Sequence, residues 1–270
     1  MFSSIDNNAY ATLDDLTFIS KDILNDNFSN NLLGSSTSTG IIMIANALLI
    51  GLSIYYAIRL LMSNYISSQI EKPYQFIFKL IIISAFINSS YFICEQILNI
   101  NFLVSASIRE VGEKMLNCNI SFEQLVIKIN SVISFETTLN VFSFDGMIKS
   151  FTSFGLFNLL FSYSLRYVMI KIFVIITPFM IITLLNTSTS WIFKSWIKSV
   201  LSLLVIQSII SVILIIIFST DFSANNTFSK LIYIGSIYAL IKANTYTQQI
   251  IGGISTDISS GISNLNKLKK

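Results

Sequence analysis

The sequence predicts an all-α, polytopic α-helical membrane protein with about five transmembrane helices and additional amphipathic surface helices. Only 11% of the 270 residues are charged and 53% are hydrophobic, whereas an ordinary soluble domain carries about 25% charged residues. The apolar residues also occur in blocks of about 20, the length that a helix needs to cross a bilayer. Because helices satisfy their own backbone hydrogen bonds in lipid, each block is predicted to be a transmembrane helix.

The third apolar block is the longest, and after Lys149 it is interrupted only by Arg166 and Lys171. It contains Pro178, which kinks a helix unless neighbouring groups compensate. No polar loop divides this block, so we expect one long or bent span that ends at the turn 186–190. The five predicted spans are 41–62, 74–98, 147–186, 191–218 and 230–250.

Polar segments separate these spans and define the predicted regions of the chain. Residues 1–39 are acidic, and an apolar pattern at helical spacing predicts an amphipathic exterior helix with Leu13, Leu16, Ile19 and Ile23 on one face. Within 101–146, Ser121 and Gln124 form a capping box that predicts the start of a second amphipathic helix. The regions are therefore 1–39, 40–100 with two spans, 101–146 as an exterior helical segment, 147–250 with three spans, and the amphipathic cytoplasmic tail 251–270.

Lys and Arg residues cluster on alternate connections, which predicts the orientation of the chain in the membrane. One set of span ends carries Arg59, Lys72, Lys79, Lys194, Lys198 and the terminal Lys267, Lys269 and Lys270. These ends are expected to face the cytoplasm of a bacterium, with the N-terminus outside the cytoplasmic (inner) membrane. Arg109, Lys114 and Lys128 in the exterior segment act against this orientation. No basic start precedes a short apolar core, so no cleavable signal peptide is expected.

The chain has no histidine, two cysteines and no phosphate-binding glycine loop. Gly252-Gly253 lacks the following Lys and Ser or Thr of such a loop. No histidine is available to activate a serine, and the soft ligands are too few for a zinc site. We therefore expect no enzymatic activity, no cofactor and no metal. Cys94 and Cys118 either pair on an oxidising face or are two unrelated small residues.

Polar residues inside the spans are candidates for a hydrated interior, because charge at membrane depth costs about 2.5–3.5 kcal/mol and tends to face water or a partner. Gln207 and Ser211 lie near the centre of the fourth span, and Lys171 lies in the third. Alternatively, Gln207 joins helices by hydrogen bonds. We expect Arg166 and Lys242 to extend to the lipid headgroups.

Two further patterns predict contact surfaces. Gly235, Ala239 and Ala243 form a small-residue stripe that lets helix backbones approach closely, within the bundle or in a homo-oligomer. Apolar faces in the exterior segment must also bury against something. The candidate partner-docking residues on these faces are Ile108, Val111, Phe122 and Ile129.

The segment 166–218 carries a resemblance to a known family. It has a basic long helix, the Thr-Pro-Phe step at Pro178, a Thr/Ser turn at Thr187, and the Phe-Lys-x-Trp sequence that ends at Trp196. A polar-centred apolar helix follows. This pattern resembles the TrbL-type polytopic inner-membrane subunit of type IV secretion and conjugation systems, although the chain lacks the long C-terminal extension of many members.

The resemblance implies a non-enzymatic subunit that oligomerises in the cytoplasmic membrane, contacts membrane lipid, other channel subunits and ATPases, and helps to pass DNA or protein. Two other functions are compatible with the composition: a permease subunit for a small solute, and a membrane anchor or immunity-type protein without a transport role. Permeases often contain internal repeats, and no repeat relates the first two spans to the last three.

Overall fold

A computed structural model describes residues 12–24, 32–33, 40–66, 72–132, 144–220 and 227–251. Within these ranges the chain is helical and contains no strand, which confirms the predicted all-α class. The helices are α1 (12–17), α2 (Ile41–Ile66), α3 (Pro73–Asn88), α4 (Ser90–Leu116), α5 (Phe122–Val132), α6 (Phe144–Ile182), α7 (Ser190–Ser219) and α8 (Thr227–Ile251). Two 3₁₀ turns lie at Lys21–Leu24 and Thr183–Leu185.

Four of the described helices are long and apolar enough to cross a membrane, so the chain is a multi-pass membrane protein. The outer surface of α2 is typical of the class, since Ile50 is 63% exposed and Leu61 is 67% exposed. Large continuous apolar surfaces of this kind are rare on soluble monomers and common on surfaces that face lipid. The four candidate spans are Ile41–Met62, Ser90–Leu116, Phe154–Leu185 and Ser190–Ser219.

The second span differs from the prediction. The predicted helix 74–98 is interrupted at Ser89, and α3 has only 16 residues, or about 24 Å at 1.5 Å per residue. The helix that follows the interruption, α4, continues to Leu116 and is long and apolar enough to cross a membrane. The interruption falls in Asn88-Ser89-Ser90, where the Asn88 amide donates to the Ser84 carbonyl at 2.8 Å. Side chains of this type compete with regular helical hydrogen bonding.

Residues 101–116, expected in a separate exterior segment, are therefore part of α4. The predicted fifth span, 230–250, does form a helix, α8, but α8 is not one of the four helices that are long and apolar enough to cross a membrane. The predicted helix start at Ser121 is confirmed, because α5 begins at Phe122 and the Gln124 backbone N–H donates to Ser121 Oγ at 3.1 Å, which is one of the two hydrogen bonds of a capping box. The expected tail face beyond Ile251 lies outside the described residues.

The chain divides into two compact units. Unit 1 comprises 1–20, 99–169 and 201–270, and unit 2 comprises 21–98 and 170–200.

The N-terminal polar segment differs from the predicted surface helix, because α1 ends at residue 17 and Leu13, Phe18 and Ile19 are buried. Both cysteines are free thiols.

Unit 2 is organised around the antiparallel pair α2 and α3. Asn46 donates to Asn88 Oδ1 at 3.0 Å, and Tyr56 stacks on Phe76 with ring centroids 3.7 Å apart. These two contacts lie at opposite ends of the pair, which fixes its direction. Its buried core consists of Ala45, Leu49, Phe76, Ile83, Ile87, Ile181, Ile182 and Leu185.

Unit 1 contains two close helix contacts at glycines. A Cβ built on Gly155 of α6 would lie 2.7 Å from Ile237 Cγ2 of α8, and one on Gly112 of α4 would lie 2.5 Å from Ile215 Cγ1 of α7. The predicted small-residue stripe of α8 contributes less to close helix contact. Among the described residues, a Cβ on Gly235 would meet nothing within 4 Å, while Ala243 is buried. The close contact of α8 with Gly155 is therefore made by Ile237.

We predict that Gly155→Leu destabilises the protein, whereas Gly235→Leu does not. The first substitution places carbon atoms where Ile237 already lies, and overpacking of this kind costs about 1–3 kcal/mol. Thermal unfolding of the detergent-solubilised chain measures the difference. The second variant is the matched control, because it adds the same side chain to a helix position with open space. Equal losses in both variants would contradict the assigned packing.

Candidate functional site: a buried arginine in a polar cluster

Arg166 of α6 is 1% exposed and is among the largest fully buried side chains of the described residues. Its Nε donates to the Leu203 carbonyl at 2.9 Å, and its Nη1 donates to the Thr17 carbonyl at 3.0 Å. Its Nη2 donates to Gln207 Oε1 at 3.4 Å. The prediction that Arg166 extends to the lipid headgroups is therefore wrong: three acceptors of unit 1 satisfy the guanidinium inside the fold.

Arg166 and Leu203 lie near the midpoints of two candidate spans. Arg166 precedes Leu185 by 19 residues and Leu203 follows it by 18, so the two positions are level in the α6–α7 hairpin. Because Thr17 accepts a hydrogen bond from the same guanidinium, the N-terminal segment reaches the level of the span midpoints. This places a fixed positive charge and a polar chain segment at a depth where each is costly.

Gln207 connects α7 with α4. Its Nε2 donates to Ser105 Oγ at 2.9 Å, and its Oε1 also accepts from Asn101 Nδ2 at 3.1 Å. Ser211 Oγ lies 3.0 Å from the Gln207 carbonyl and 3.3 Å from the Ser105 carbonyl. Gln207, Ser105 and Ser211 are completely buried. The geometry agrees with the interpretation of Gln207 as a hydrogen-bonding link between helices.

We call Asn101, Ser105, Arg166, Gln207 and Ser211 the polar cluster. Buried polar groups are tolerated where their donors and acceptors are paired, and the cluster pairs them across three helices and the N-terminal segment. No described carboxylate forms an ion pair with Arg166, so neutral oxygen atoms hold the charge. The arrangement can fix helices in register and present positive potential, but it contains no nucleophile with a general base.

The N-terminal segment is attached at two further points. Phe18 lies against Arg109, whose guanidinium carbon is 3.7 Å from the ring centroid, and against Phe122, with ring centroids 6.5 Å apart. Both Asp14 carboxylate oxygens accept from the Phe122 amide, at 3.1 and 3.2 Å. Asp14 therefore caps α5 from a distant part of the sequence.

Burial raises the pKa of the Asp14 carboxyl above its ordinary value of 3.8. The backbone amides of Phe122 and Glu123 and the positive charge of Arg109 act in the opposite direction, and burial outweighs them. Neutral Asp14 is consequently favoured more in the folded chain than in the unfolded chain.

The other predicted residues of the span interiors are partly buried. Lys171 is half-buried and belongs to unit 2, whereas Gln207 and Ser211 belong to unit 1. Lys242 of α8 is half-buried, with Nζ 5.9 Å from the Tyr238 ring centroid. Ala239, the middle residue of the predicted stripe, is half-buried.

The residues of the family-like motif lie in unit 2. Pro178 is buried inside α6 without ending the helix, and Thr187 is exposed in the turn, where its carbonyl accepts from Ser190 Oγ at 2.9 Å. Trp196 packs on Phe193 with ring centroids 5.4 Å apart, and its indole N–H has no hydrogen-bond partner in the part of the chain that the structure describes.

The predicted docking residues do not form one surface. Val111 is 58% exposed and Ile108 is half-buried on α4. Phe122 is fully buried between Phe18 and Tyr163, which corrects its assignment, because a buried ring cannot dock a partner. The side chain of Ile129 lies outside the described residues.

Sequence reasoning identified Gln207 and Ser211 but missed Asn101, Ser105 and the acceptor at Thr17. One signal was present: Asn101 and Ser105 are four residues apart, as are Gln207 and Ser211, so each pair shares a helix face. Two facing pairs of this kind indicate hydrogen bonding between helices. The Thr17 contact has no such signal, because a backbone carbonyl accepts it.

No family model, no curated protein and no solved structure matches the chain. Among the described residues, no group of three His, Cys, Asp or Glu side chains is arranged to hold a metal ion.

We predict that Asp14→Ala lowers the free energy of unfolding by about 1 kcal/mol, the usual effect of losing a side-chain cap. Asp15→Ala is the matched control, because Asp15 is exposed one position along the chain. Thermal unfolding of the two purified variants measures the difference, and equal stability would contradict the cap.

The same contact has a pH dependence. Because the folded-state pKa of Asp14 is raised, its contribution lowers the free energy of unfolding as the pH rises from 3.8 through that pKa. Asp14→Asn removes this contribution and keeps an acceptor for the Phe122 amide. The difference in stability between the wild type and this variant should therefore change across that pH window, and a constant difference would contradict the buried carboxyl.

Proposed function

We propose that the chain is a non-enzymatic integral membrane subunit of a type IV secretion or conjugative transfer channel, which oligomerises and helps to pass DNA or protein. The observation that carries the proposal is the resemblance of 166–218 to TrbL-type subunits. The same segment forms most of two spans in the structure, with the turn 186–189 between them. Two of its polar residues, Arg166 and Gln207, hydrogen-bond to each other.

The spans and the polar cluster support a structural role over a catalytic one. Four apolar helices give the chain a multi-pass arrangement, and the cluster links α4, α6 and α7 in unit 1 by hydrogen bonds. A scaffold of this kind suits a subunit that takes energy from partner ATPases. We place it in a bacterial cytoplasmic membrane with the N-terminus outside and the basic C-terminus inside, an arrangement in which α8 crosses the membrane as a fifth span.

Deletion of the gene in the organism that encodes the chain tests the proposal. We expect the frequency of DNA transfer, or the amount of protein delivered to recipient cells, to fall to the background level and to recover with the wild-type gene. An uptake assay for small solutes and a growth assay in the same strain test the permease and immunity alternatives. Normal transfer after deletion would contradict the secretion role.

A second arm examines docking through the exposed face of α4. Val111→Asp adds a charge at an exposed position of α4, whereas Ile127→Asp does so on α5, where Ile127 is 52% exposed. If Val111 docks a channel partner, the first variant loses transfer at normal abundance in the membrane fraction and the second keeps it. Normal transfer in both variants would remove Val111 from the interface.

A further inference from the structure

Unit 2 contains a cavity of about 640 Å³ at one end of its helices. Tyr55 and Arg59 of α2 contribute to it, together with Phe76 of α3 and the turn 186–189. Its lining combines one guanidinium, several hydroxyl groups and apolar side chains. None of the residues of the polar cluster lines this cavity.

The cavity lies at the level where the spans end. The turn 186–189 lies between the candidate spans Phe154–Leu185 and Ser190–Ser219, and Arg59 precedes the end of the first span by three residues. Chain that connects two consecutive spans must leave the hydrocarbon region, so the cavity opens where lipid headgroups lie. Tyrosines such as Tyr55 are enriched at the same depth.

Three polar side chains that line the cavity are available to a ligand. Arg59 is exposed and forms no ion pair with a described carboxylate, and the hydroxyls of Thr187 and Ser188 make no hydrogen bond to a described residue. A guanidinium presents a planar set of donors that matches a phosphate group. The hydroxyls can donate to the remaining phosphate oxygens or to a glycerol headgroup.

The apolar part of the lining distinguishes a lipid from a free anion. Leu52, Phe76 and Ile182 border the same cavity, which suits the first carbons of an acyl chain and offers nothing to inorganic phosphate. The adjoining segments 59–72 and 183–194 carry Arg59, Lys72 and Lys194 against Glu71 alone. Basic pockets between helices at a membrane surface favour anionic headgroups.

We propose that this cavity binds the headgroup of an anionic phospholipid, with Arg59 holding the phosphate and Thr187 and Ser188 donating to it. The lipid would occupy the gap between α2, α3 and the turn 186–189. Lipid binding at this position is independent of whether the chain serves secretion, since it rests on unit 2 alone.

Native mass spectrometry of the full-length chain in detergent tests the proposal, with dioleoyl-phosphatidylglycerol as the probe and dioleoyl-phosphatidylcholine as the neutral comparison. We expect the anionic lipid to bind more tightly, and Arg59→Gln to weaken its binding about five-fold, the effect of one basic residue near an anionic headgroup. Lys198→Gln is the matched control, because Lys198 is exposed on unit 2 and does not line the cavity.

Thr187→Phe tests the cavity without a change in charge. We expect the added ring to fill the space and to weaken binding of the anionic lipid as Arg59→Gln does, while the variant elutes from size exclusion like the wild type. Equal binding of the two lipids, equal losses in the Lys198 and Arg59 variants, or full binding by Thr187→Phe would overturn the site. Displacement of the lipid by millimolar glycerol phosphate would assign the cavity to a soluble phosphate and would overturn the lipid.

Discussion

The fold of unit 1 depends on the need to satisfy a guanidinium buried near the middle of a membrane span. Arg166 has five N–H donors and no way to lose its charge at physiological pH. An arginine at the centre of a transmembrane helix costs about 2.5–3.5 kcal/mol on insertion scales. The structure offsets this cost with acceptors from α7 and the N-terminal segment, at Leu203, Gln207 and Thr17.

Several other features follow from this constraint. Gln207 accepts from Arg166, and its amide donates to Ser105, so the charge fixes α7 relative to α4. The glycines allow the close helix approach: Gly112 meets Ile215 and Gly155 meets Ile237. The Thr17 carbonyl brings the N-terminal segment into the helices, where Phe18 is then covered by Arg109 and Phe122. The hydrogen bonds of the buried polar groups and the close packing of the helices thus depend on each other.

The sequence predicted the features that rest on composition and local periodicity. The membrane class, the first, third and fourth spans and the start of α5 at Ser121 follow from apolar blocks and a capping box, which are local properties. The sequence Asn88-Ser89-Ser90 indicates a helix break at Ser89, but the apolar residues on both sides of it predict one continuous span. The extension of α4 to Leu116 required charged residues such as Arg109 to find partners, which a hydropathy pattern does not reveal.

The site was predicted in part, for a related physical reason. Gln207 and Ser211 were found because a polar residue in an apolar helix is conspicuous. Arg166 was assigned to the headgroups because an isolated helix offers a long side chain no other partner. Two of its acceptors are the backbone carbonyls of Leu203 and Thr17. Because every residue type has a backbone carbonyl, the sequence does not indicate which residues accept these hydrogen bonds. The open position at Gly235 similarly depends on which face of α8 meets α6.

Amide hydrogen exchange of residues 12–20 tests the central role of Arg166 most directly. The comparison is between the wild type, Arg166→Met and the control Lys198→Met, in which an exposed lysine is replaced. Loss of a hydrogen bond from a charged donor costs about 1.5–3 kcal/mol, so we expect exchange in 12–20 to become at least about ten-fold faster in Arg166→Met. Exchange in Lys198→Met should equal that of the wild type. Unchanged exchange in a folded Arg166→Met variant would contradict the account.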